Sequence, residues 1–365
     1  MKIKVIQINL NHCWGAHFML QQYMAEEGIE VAAIMEPVCI PENGNWISSK
    51  DGKAAIHWKT RNLRTQCERI MYGEEFVALK LYDMVIVACY ISPKYKIEEF
   101  EDALERMEND IGMLEMENVI ICGDFNAHSM LWGSKFTNHK GRKLEEWMEG
   151  MEMMLANEGD IPTCVRPQGE SIVDLTWSTT RIVNRLKEWR VEEEKVSLSD
   201  HYYITFRVED NKGREIEKER ERNKHPRWKI KEMDLDLLVE VLEWKSETYK
   251  RSDVIIEEKN GAEWLQRAMT EAADMSTPRS KKTPSKGQVH WWNDDIDQTR
   301  KQCITNRRIW MRARRRKGSN MEEDGIEIND KERKYREKKK ELVKKIMKAK
   351  EESWKTLLQE INKDP

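Results

Sequence analysis

The chain has 365 residues, which at roughly 150 residues per domain suggests about two domains. Its 63 Lys and Arg nearly balance 66 Asp and Glu, so a formal net charge of -3 excludes a polybasic arm or an acidic tail as the whole protein. Charged residues make up 35% of the chain, but 14 Trp and 20 Met are too many apolar anchors for a disordered one. A structured domain with a polar, highly charged extension fits both facts.

The apolar segments predict neither a membrane span nor a secretory leader. The longest runs, such as residues 85–91, have the length of a strand and fall short of the roughly 20 residues that cross a bilayer. The chain enters a strand-like run at residues 3–8 without the pattern of a signal peptide. Seven scattered cysteines without CxxC spacing predict reduced packing residues rather than a zinc site or disulfides. We therefore expect an intracellular protein with no membrane partner.

Strand-like and helix-like segments alternate up to about Val208, which predicts a layered α/β domain with a mostly β core. The predicted strands are residues 4–8, 31–35, 54–58, 75–81, 84–90, 119–122, 172–177 and 202–208. The predicted helices between them are residues 17–27, 97–114 and 140–151. Several of these strands are followed by Asn, Glu, Asp or His, which is where a functional site is commonly placed.

The remaining chain is predicted to be a charged linker, residues 209–227, followed by a helical extension, residues 228–365. Residues 300–317 contain nine Lys or Arg and no acid, and residues 331–350 contain eleven against three Glu. An apolar stripe from Leu342 to Ile361 lies on a helix whose other face is basic. The sequence leaves open whether this extension folds alone or needs a partner domain.

The sharpest chemical signal follows the predicted strand that ends at Cys122. Asp124 and Asn126 lie two residues apart, so in extended backbone both side chains point to one side. A carboxylate there can take a proton from water, and an amide can donate to a developing oxyanion. The alternative interpretation is an Asx turn that closes the strand.

Three weaker signals occur elsewhere. His201 follows Asp200 at the start of a strand, and a histidine that transfers protons needs a carboxylate partner, although the same pair also suits a surface turn. Glu36 follows a strand and precedes Pro37, so its carboxylate is either a ligand for a divalent cation or a solvated loop residue. Asn9, at the end of the first strand, alone would be a turn residue.

These residues form an ordered set: Asn9, Glu36, Tyr90, Asp124 with Asn126, Asp174, and Asp200 with His201. The set resembles the endonuclease/exonuclease/phosphatase family, metal-dependent phosphodiesterases related to apurinic/apyrimidinic endonucleases and deoxyribonuclease I. Finer features are similar to the endonuclease domain of arthropod non-LTR (LINE-type) retrotransposons, at residues 7–13, 35–37, 90–93, 123–134 and 171–176. A weaker similarity, at residues 291–293 and 348–354, is to the segment between nuclease and reverse transcriptase in those polyproteins.

The resemblance implies a four-layered α/β sandwich over residues 1–208, with two packed mixed β-sheets flanked by helices, followed by a mainly α-helical extension. It implies a divalent cation, Mg²⁺ or Mn²⁺, held by Glu36 with Asn9 and Asp200 nearby. The extension would then precede a missing reverse transcriptase domain.

The resemblance also implies catalytic roles. Asp124 would position or deprotonate the attacking water, and Asn126 would hold a phosphate oxygen. His201, oriented by Asp174, would stabilise the negative charge that grows on the phosphoryl group. Tyr90 would hydrogen-bond the scissile phosphate.

Further residues are predicted to contact phosphate or DNA. Ser171 and Thr163 would make lesser phosphate contacts, and His128 and Trp132 lie in the loop after the main motif, where Trp132 either packs or stacks on a base. The acid-free basic run either binds phosphates or forms a solvated helical face, and we favour phosphate binding. The arginines concerned are Arg307, Arg308, Arg314 and Arg315.

The sequence thus predicts a Mg²⁺-dependent endonuclease that nicks DNA and leaves a 3′ hydroxyl, which in the family primes reverse transcription. Its partners would be DNA and the element's RNA, and its location the nucleus. A small-molecule phosphoesterase of the same fold and a catalytically inactive nucleic-acid-binding remnant remain as alternatives.

Overall fold

The computed structural model describes residues 2–42, 44–59, 67–113, 117–209, 228–250, 258–279, 287–315 and 321–361. The strands are β1 (Lys2–Asn9), β2 (Val31–Met35), β3 (Trp46–Ser48), β4 (Ala54–Trp58), β5 (Cys67–Tyr72), β6 (Phe76–Leu81), β7 (Met84–Tyr90), β8 (Val119–Asp124), β9 (Met153–Leu155), β10 (Cys164–Arg166), β11 (Gly169–Ser171), β12 (Asp174–Thr179), β13 (Leu186–Val191) and β14 (Ile204–Glu209). The helices are α1 (Trp14–Glu27), α2 (Ile97–Gly112), α3 (His139–Gly150), α4 (Thr180–Val183), α5 (Leu235–Lys250), α6 (Glu258–Ser276), α7 (Asp294–Arg315) and α8 (Met321–Ile361).

Two mixed sheets form the centre of the fold. The first has the strand order β13-β14-β1-β2-β4-β3, and the second has the order β5-β6-β7-β8-β12-β9. Each contains one parallel pair, β1 with β2 and β7 with β8, and its other pairs are antiparallel. Strands β10 and β11 form a separate hairpin. The carboxyl ends of the two parallel pairs carry, or closely precede, Asn9, Glu36, Tyr90, Asp124 and Asn126.

Alternating side chains of each strand explain the layers. In β1, Ile3 and Val5 belong to a core shared by the two sheets, whereas Ile6 and Ile8 face a second core that includes α1. Helices α2 and α3 cover the other face of the second sheet, where Phe100 is fully buried. The predicted two-sheet α/β sandwich with a helical C-terminal region is therefore confirmed.

Helices α7 and α8 pack onto the same body as the sheets. Leu342 and Ile346 of α8 are fully buried in the core that contains α1, and Trp310 of α7 stacks on Tyr335 of α8 with ring centroids 5.5 Å apart. The C-terminal part of the predicted apolar stripe is exposed, as Trp354 shows. Among the described residues, no helix has both the length and the apolar character needed to cross a membrane.

The chain divides into two compact units that differ from the sequence-based division. One unit comprises residues 1–211 and 286–365, and the other comprises residues 212–285. Within the second unit, α5 and α6 pair through Lys245 and Glu271. Charge and periodicity suggested one extension from residue 228, but burial of Leu342 and Ile346 joins the last two helices to the sheets. The predicted linker falls almost entirely outside the described residues.

The boundaries of two predicted strands are displaced by backbone groups that pair elsewhere. The Thr163 hydroxyl accepts hydrogen bonds from the backbone N–H groups of Val173 and Asp174, so β12 begins at Asp174 rather than at residue 172. Likewise the N–H of Tyr202 donates to the Thr163 carbonyl, and β14 begins at Ile204. Short or charged strands such as β3 and β13 were not predicted, because they lack a clear apolar alternation.

Candidate active site

Register places three of the predicted residues side by side at one edge of the second sheet. Asp124 is the last residue of β8, and it lies opposite Tyr90 of β7 and Asp174 of β12. Adjacent strands are about 4.8 Å apart, so side chains on one rung are within contact distance. Positions 90, 124 and 174, far apart in sequence, therefore meet at one place.

Asp174 holds His201 in a fixed orientation. Its Oδ2 lies 2.7 Å from His201 Nδ1, and both side chains are at most 2% exposed. Thr163 fixes the backbone of Asp174, and His201 forms an isolated antiparallel bridge with Cys164. The other ring nitrogen, Nε2, lies 3.9 Å from Asp124 Oδ2 and has no hydrogen-bond partner among the described residues. The histidine thus has one nitrogen committed to Asp174 and one facing Asp124.

Asn9 connects the two sheets at this edge. Its Nδ2 donates to Asp124 Oδ2 at 2.9 Å and to Glu36 Oε2 at 3.0 Å. Asn9 ends β1 and Glu36 follows the parallel strand β2, so both arrive from the first sheet. The Tyr90 hydroxyl donates to Glu36 from the second sheet. One amide therefore brings two carboxylates together, and Tyr90 adds a second link.

Glu36 and Asn126 adopt left-handed backbone conformations, with φ of 44° and 48°. This region is uncommon for residues other than Gly and costs roughly 1 kcal/mol for a residue such as Glu. Asn126 donates its side-chain amide to the carbonyl of Ile91 at 3.0 Å, and its backbone N–H donates to Asp124 Oδ1 at 3.2 Å. Strained positions are typical of functional sites, and here they aim Glu36 at Asn9.

Burial and neighbouring charge perturb the titratable groups. Burial, with the nearby Asp174 carboxylate, raises the pKa of Asp124 to about 7. Burial alone would lower the pKa of His201, but the charge and hydrogen bond of Asp174 outweigh it and hold that pKa well above its ordinary value. A carboxylate whose pKa is near neutral is well matched to exchange a proton with water. Perturbed groups of this kind mark candidate active sites.

The residues present fit a divalent cation. Glu36 and Asp124 accept from the same Asn9 nitrogen, so their oxygens lie close together and form the hard, oxygen-rich donor set that Mg²⁺ and Mn²⁺ prefer. Among the described residues, ligand atoms of Asp124, Asp174 and His201 also lie within 4.8 Å of one another. Because His201 and Asp174 are hydrogen-bonded to each other, we interpret Asp174 as the residue that orients His201 rather than as a metal ligand.

Asp200 lies apart from this cluster, in a basic setting. Its carboxylate accepts from Asn11 Nδ2 at 3.3 Å and lies 3.7 Å from Arg166 Nε and 3.8 Å from Lys339 Nζ. Its side chain is 36% exposed, whereas that of Asp124 is 2% exposed. Of the three predicted metal ligands, the structure joins Asn9 and Glu36 by a hydrogen bond and places Asp200 apart from them at a more exposed position.

One predicted phosphate contact, Thr163, requires correction, and of the two alternatives for Trp132 the structure has the packing one. Thr163 is fully buried and its hydroxyl accepts from two backbone N–H groups, so it positions Asp174. Trp132 is 3% exposed and packs edge-on against Trp177, so it is a core residue and does not present a face to DNA. Ser171 and His128 are partly exposed, and their contacts with phosphate remain predictions.

The predicted DNA-binding arginines of α7 all have partners within the first unit. Arg307 is 6% exposed and donates to the backbone carbonyls of Glu193 and Lys195. The other three form ion pairs: Arg308 with Glu194, Arg314 with Glu170, and Arg315 with Glu193. Their interaction with DNA therefore stays a prediction that has to compete with these contacts.

Sequence reasoning missed several residues that hold the site together. Gln7 Nε2 donates to the carbonyls of Gly123 and Leu175, at 3.2 Å each, and so joins the two sheets beneath the site. The Ser199 hydroxyl donates to the carbonyl of Asn9 at 2.7 Å. A buried glutamine within an apolar strand is a usable signal for Gln7, but nothing in the sequence indicates that Lys339 lies near Asp200.

Part of the chain that carries the site is similar to a known protein family. Residues 84–205, which are 122 of the 365, match the model of a family described as endonuclease-reverse transcriptase. No curated protein matches the chain.

Three solved structures resemble the chain, each over 57% of its length. The endonuclease domain of TRAS1, a telomere-specific non-LTR retrotransposon, is 28% identical, is covered over 99% of its own length and gives a TM-score of 0.49. An AP endonuclease from Archaeoglobus fulgidus is 15% identical and fully covered, with a TM-score of 0.46. A 3′ phosphatase from Neisseria, bound to product DNA hairpin, is 15% identical and fully covered, with a TM-score of 0.45.

The family match runs from β7 to the start of β14 and includes Tyr90, Asp124, Asp174 and His201. The resemblance to the endonuclease/exonuclease/phosphatase family is thus supported over this segment. Its fold supports a phosphodiesterase of the nuclease type.

Proposed function

We propose that this chain is a divalent-metal-dependent DNA endonuclease that nicks one strand and leaves a 3′ hydroxyl. The observation that carries the proposal is the buried group of Asp124, Asp174 and His201, joined through Asn9 to Glu36, in a domain of this family. Phosphodiester hydrolysis needs an activated water, compensation of charge on the phosphoryl oxygens and a stabilised leaving oxygen. The arrangement offers groups for the first two of these tasks.

Asp124 acts on the attacking water. Its raised pKa makes it a competent proton acceptor near neutral pH, and Asn9 and the backbone N–H of Asn126 fix its two oxygens. His201 is held by Asp174 so that Nε2 remains free to donate to the reacting phosphate. Tyr90 orients Glu36, the more exposed carboxylate of the cluster.

A bound Mg²⁺ or Mn²⁺, held by Glu36 with Asp124 and Asn9 beside it, would supply positive charge next to the phosphoryl oxygens. Asp200, on the exposed side of the site, is a further oxygen ligand in the proposal. In a non-LTR element the 3′ hydroxyl would prime reverse transcription of the element's RNA in the nucleus, by a reverse transcriptase domain outside these residues.

The test is relaxation of supercoiled plasmid by the purified chain in Mg²⁺, in Mn²⁺ and in EDTA. Glu36→Gln is compared with Glu105→Gln, an exposed glutamate of α2. We expect metal-dependent nicking that is lost in Glu36→Gln and retained in Glu105→Gln. Extension of the nicked product by a DNA polymerase, without prior processing of its ends, establishes the 3′ hydroxyl.

Two results would overturn the proposal. Phosphate release from inositol phosphates without plasmid nicking would identify a small-molecule phosphoesterase. DNA binding by a folded chain that does not cleave in any metal would identify an inactive nucleic-acid-binding remnant.

A further inference from the structure

A polar cavity of about 240 Å³ lies where α7 and α8 cross the nuclease domain beside the active site. Its walls come from six residues of the nuclease domain and from both C-terminal helices, the six being Val165, Pro167, Ser197, Ser199, Asp200 and Tyr202. Ser199 and Asp200 lie on this wall, and the Ser199 hydroxyl donates to the carbonyl of Asn9, so the wall is hydrogen-bonded to the catalytic cluster. The residues that matter for its chemistry are Asp200, Tyr202, Arg307, Trp310, Tyr335 and Lys339.

The cations around this cavity differ in how fully they are bonded. Arg336 is paired with Glu332 at 2.5 Å, and Arg307 donates Nη1 to two backbone carbonyls. Among the described residues the contacts of Lys339 are long, with Nζ 3.5 Å from the Ser199 carbonyl and 3.8 Å from Asp200 Oδ1. An ammonium group has three donors and prefers distances near 2.8 Å, so Lys339 retains capacity for another acceptor.

A second donor without a partner belongs to a residue that lines the cavity. Arg307 is only 6% exposed, yet its Nη2 has no hydrogen-bond partner within the described part of the chain. Arg166, which does not line the cavity itself, has its Nε 3.7 Å from Oδ2 of the lining residue Asp200. Lys339 and Arg166 therefore share one carboxylate, and the local surplus of positive charge favours a further anion.

The aromatic residues fix the position of these charges. Tyr335 stacks on Trp310, and Tyr335 and Lys339 are four residues apart on α8, so they share one helix face. The Arg307 guanidinium lies 4.3 Å from the centroid of the Tyr202 ring. Because the helix is held by stacking, Lys339 is presented to the cavity with little ordering left to occur on binding.

We propose that this cavity binds a backbone phosphate of the DNA strand next to the scissile phosphate, with Lys339 as the principal contact. Helix α8 would then be a direct part of the substrate-binding surface. The inference rests on the proposed function for the identity of the anion as DNA phosphate. It adds a positioning residue from outside the segment that the family model matches, residues 84–205.

The test compares Lys339→Ala and Lys339→Arg with Lys340→Ala in the full chain. Lys340 is an exposed lysine next in sequence, so its removal changes net charge equally but from another helix face. Binding of a fluorescent DNA duplex is measured in EDTA across a range of salt concentrations, and nicking is measured in Mg²⁺. Thermal unfolding of each variant verifies that the fold is retained.

We expect Lys339→Ala to weaken DNA binding about tenfold and to reduce the salt slope by about 1, as for loss of one phosphate contact. KM for nicking should rise by a similar factor while kcat changes less than about twofold, because the contact acts on binding. Lys339→Arg should restore most of the loss, and Lys340→Ala should behave as wild type.

The outcomes separate this inference from the proposed function. Equal behaviour of Lys339→Ala and Lys340→Ala, in a wild type that nicks DNA, overturns the subsite alone. A wild type that binds DNA without nicking overturns the proposed function, while a loss of binding confined to Lys339→Ala still supports the subsite. A wild type that neither binds nor nicks DNA overturns both.

Discussion

Charged groups are treated in opposite ways by the catalytic cluster and by helix α7. In the cluster, Asp124, Asp174 and His201 are at most 2% exposed, and one His201 nitrogen and one Asp174 oxygen have no partner among the described residues. Burial of incompletely paired charge costs several kcal/mol per group in general. Such an arrangement is maintained for chemistry rather than for stability.

On α7 most of the arginines have acidic or carbonyl partners, although single nitrogens of Arg300, Arg307 and Arg314 have no partner among the described residues. The basic run of this helix meets an acidic turn of the nuclease domain, where Arg308 pairs with Glu194 and Arg315 with Glu193, and Arg300 donates to Glu26 of α1. A run of like charge in the sequence thus becomes part of an intramolecular interface. Whether a basic run can bind DNA therefore depends on which acidic residues lie opposite it in the folded protein, and the amino-acid composition does not contain that information.

The largest expected effect is on the orientation of His201. In Asp174→Asn the amide no longer fixes the imidazole or stabilises its charged form, so we expect the nicking rate to fall by about 10³-fold or more. The measurement is single-turnover nicking in Mg²⁺, beside Asp102→Asn at an exposed position of α2. Equal rates for the two variants would remove Asp174 from the mechanism.

The second prediction concerns the energetic cost of the Asp124 carboxylate. Its folded-state pKa of about 7 lies above the ordinary 3.8, so the folded protein holds this proton more tightly than the unfolded chain does. The associated stability is present at low pH and is lost as pH rises from about 4 to about 7. The amide of Asp124→Asn does not titrate, so the variant does not lose this stability as the pH rises.

We therefore expect the melting temperature of Asp124→Asn, relative to wild type, to increase by about 5 °C between pH 5 and pH 8 in EDTA. Differential scanning calorimetry at both pH values measures this change, and nicking by the variant should be lost. If the melting temperatures of variant and wild type differ by the same amount at both pH values, Asp124 has an ordinary pKa.

The third prediction tests the docking of α7. The Arg300 side chain is 9% exposed and Nη1 contacts both Glu26 oxygens, at 2.7 and 2.9 Å. We expect Arg300→Met to lower stability by about 2 kcal/mol, since Glu26 loses a largely buried partner. Lys301→Met, which removes an exposed pair with Asp297 on the same helix, should leave stability close to that of wild type. Thermal unfolding distinguishes the two, and equal shifts would argue against docking through Arg300.

The smallest effect is expected for Arg308→Ala. Both partners of its ion pair are well exposed, so stability should change by less than about 1 kcal/mol. If the pairing with Glu194 persists, the salt dependence of DNA binding should stay as in wild type. A salt slope reduced by about 1 would instead support the sequence-based prediction that Arg308 binds phosphate.

The sequence predicted those strands that are marked by a continuous run of apolar residues. Apolar runs located β2, β4 and β7 at their observed bounds, because strands buried on both faces are continuous apolar segments. Strand ends correctly indicated where Asn9, Glu36 and Asp124 would be found. Long-range pairing was beyond the sequence: neither the shared partner Asn9 nor the approach of Lys339 to Asp200 has a local signature. Likewise, the burial of Trp132 depends on Trp177, which is distant in sequence.

The most direct test of the central claim is single-turnover plasmid nicking by wild type, His201→Gln and His139→Gln in Mg²⁺. His139 is an exposed histidine at the start of α3, so its variant makes the same chemical change outside the cluster. We predict that His201→Gln loses at least about 10²-fold in rate, as expected for removal of a positioned proton-transfer group, and that His139→Gln matches wild type. A folded His201→Gln that nicks as fast as wild type would show that the buried cluster is not the catalytic centre.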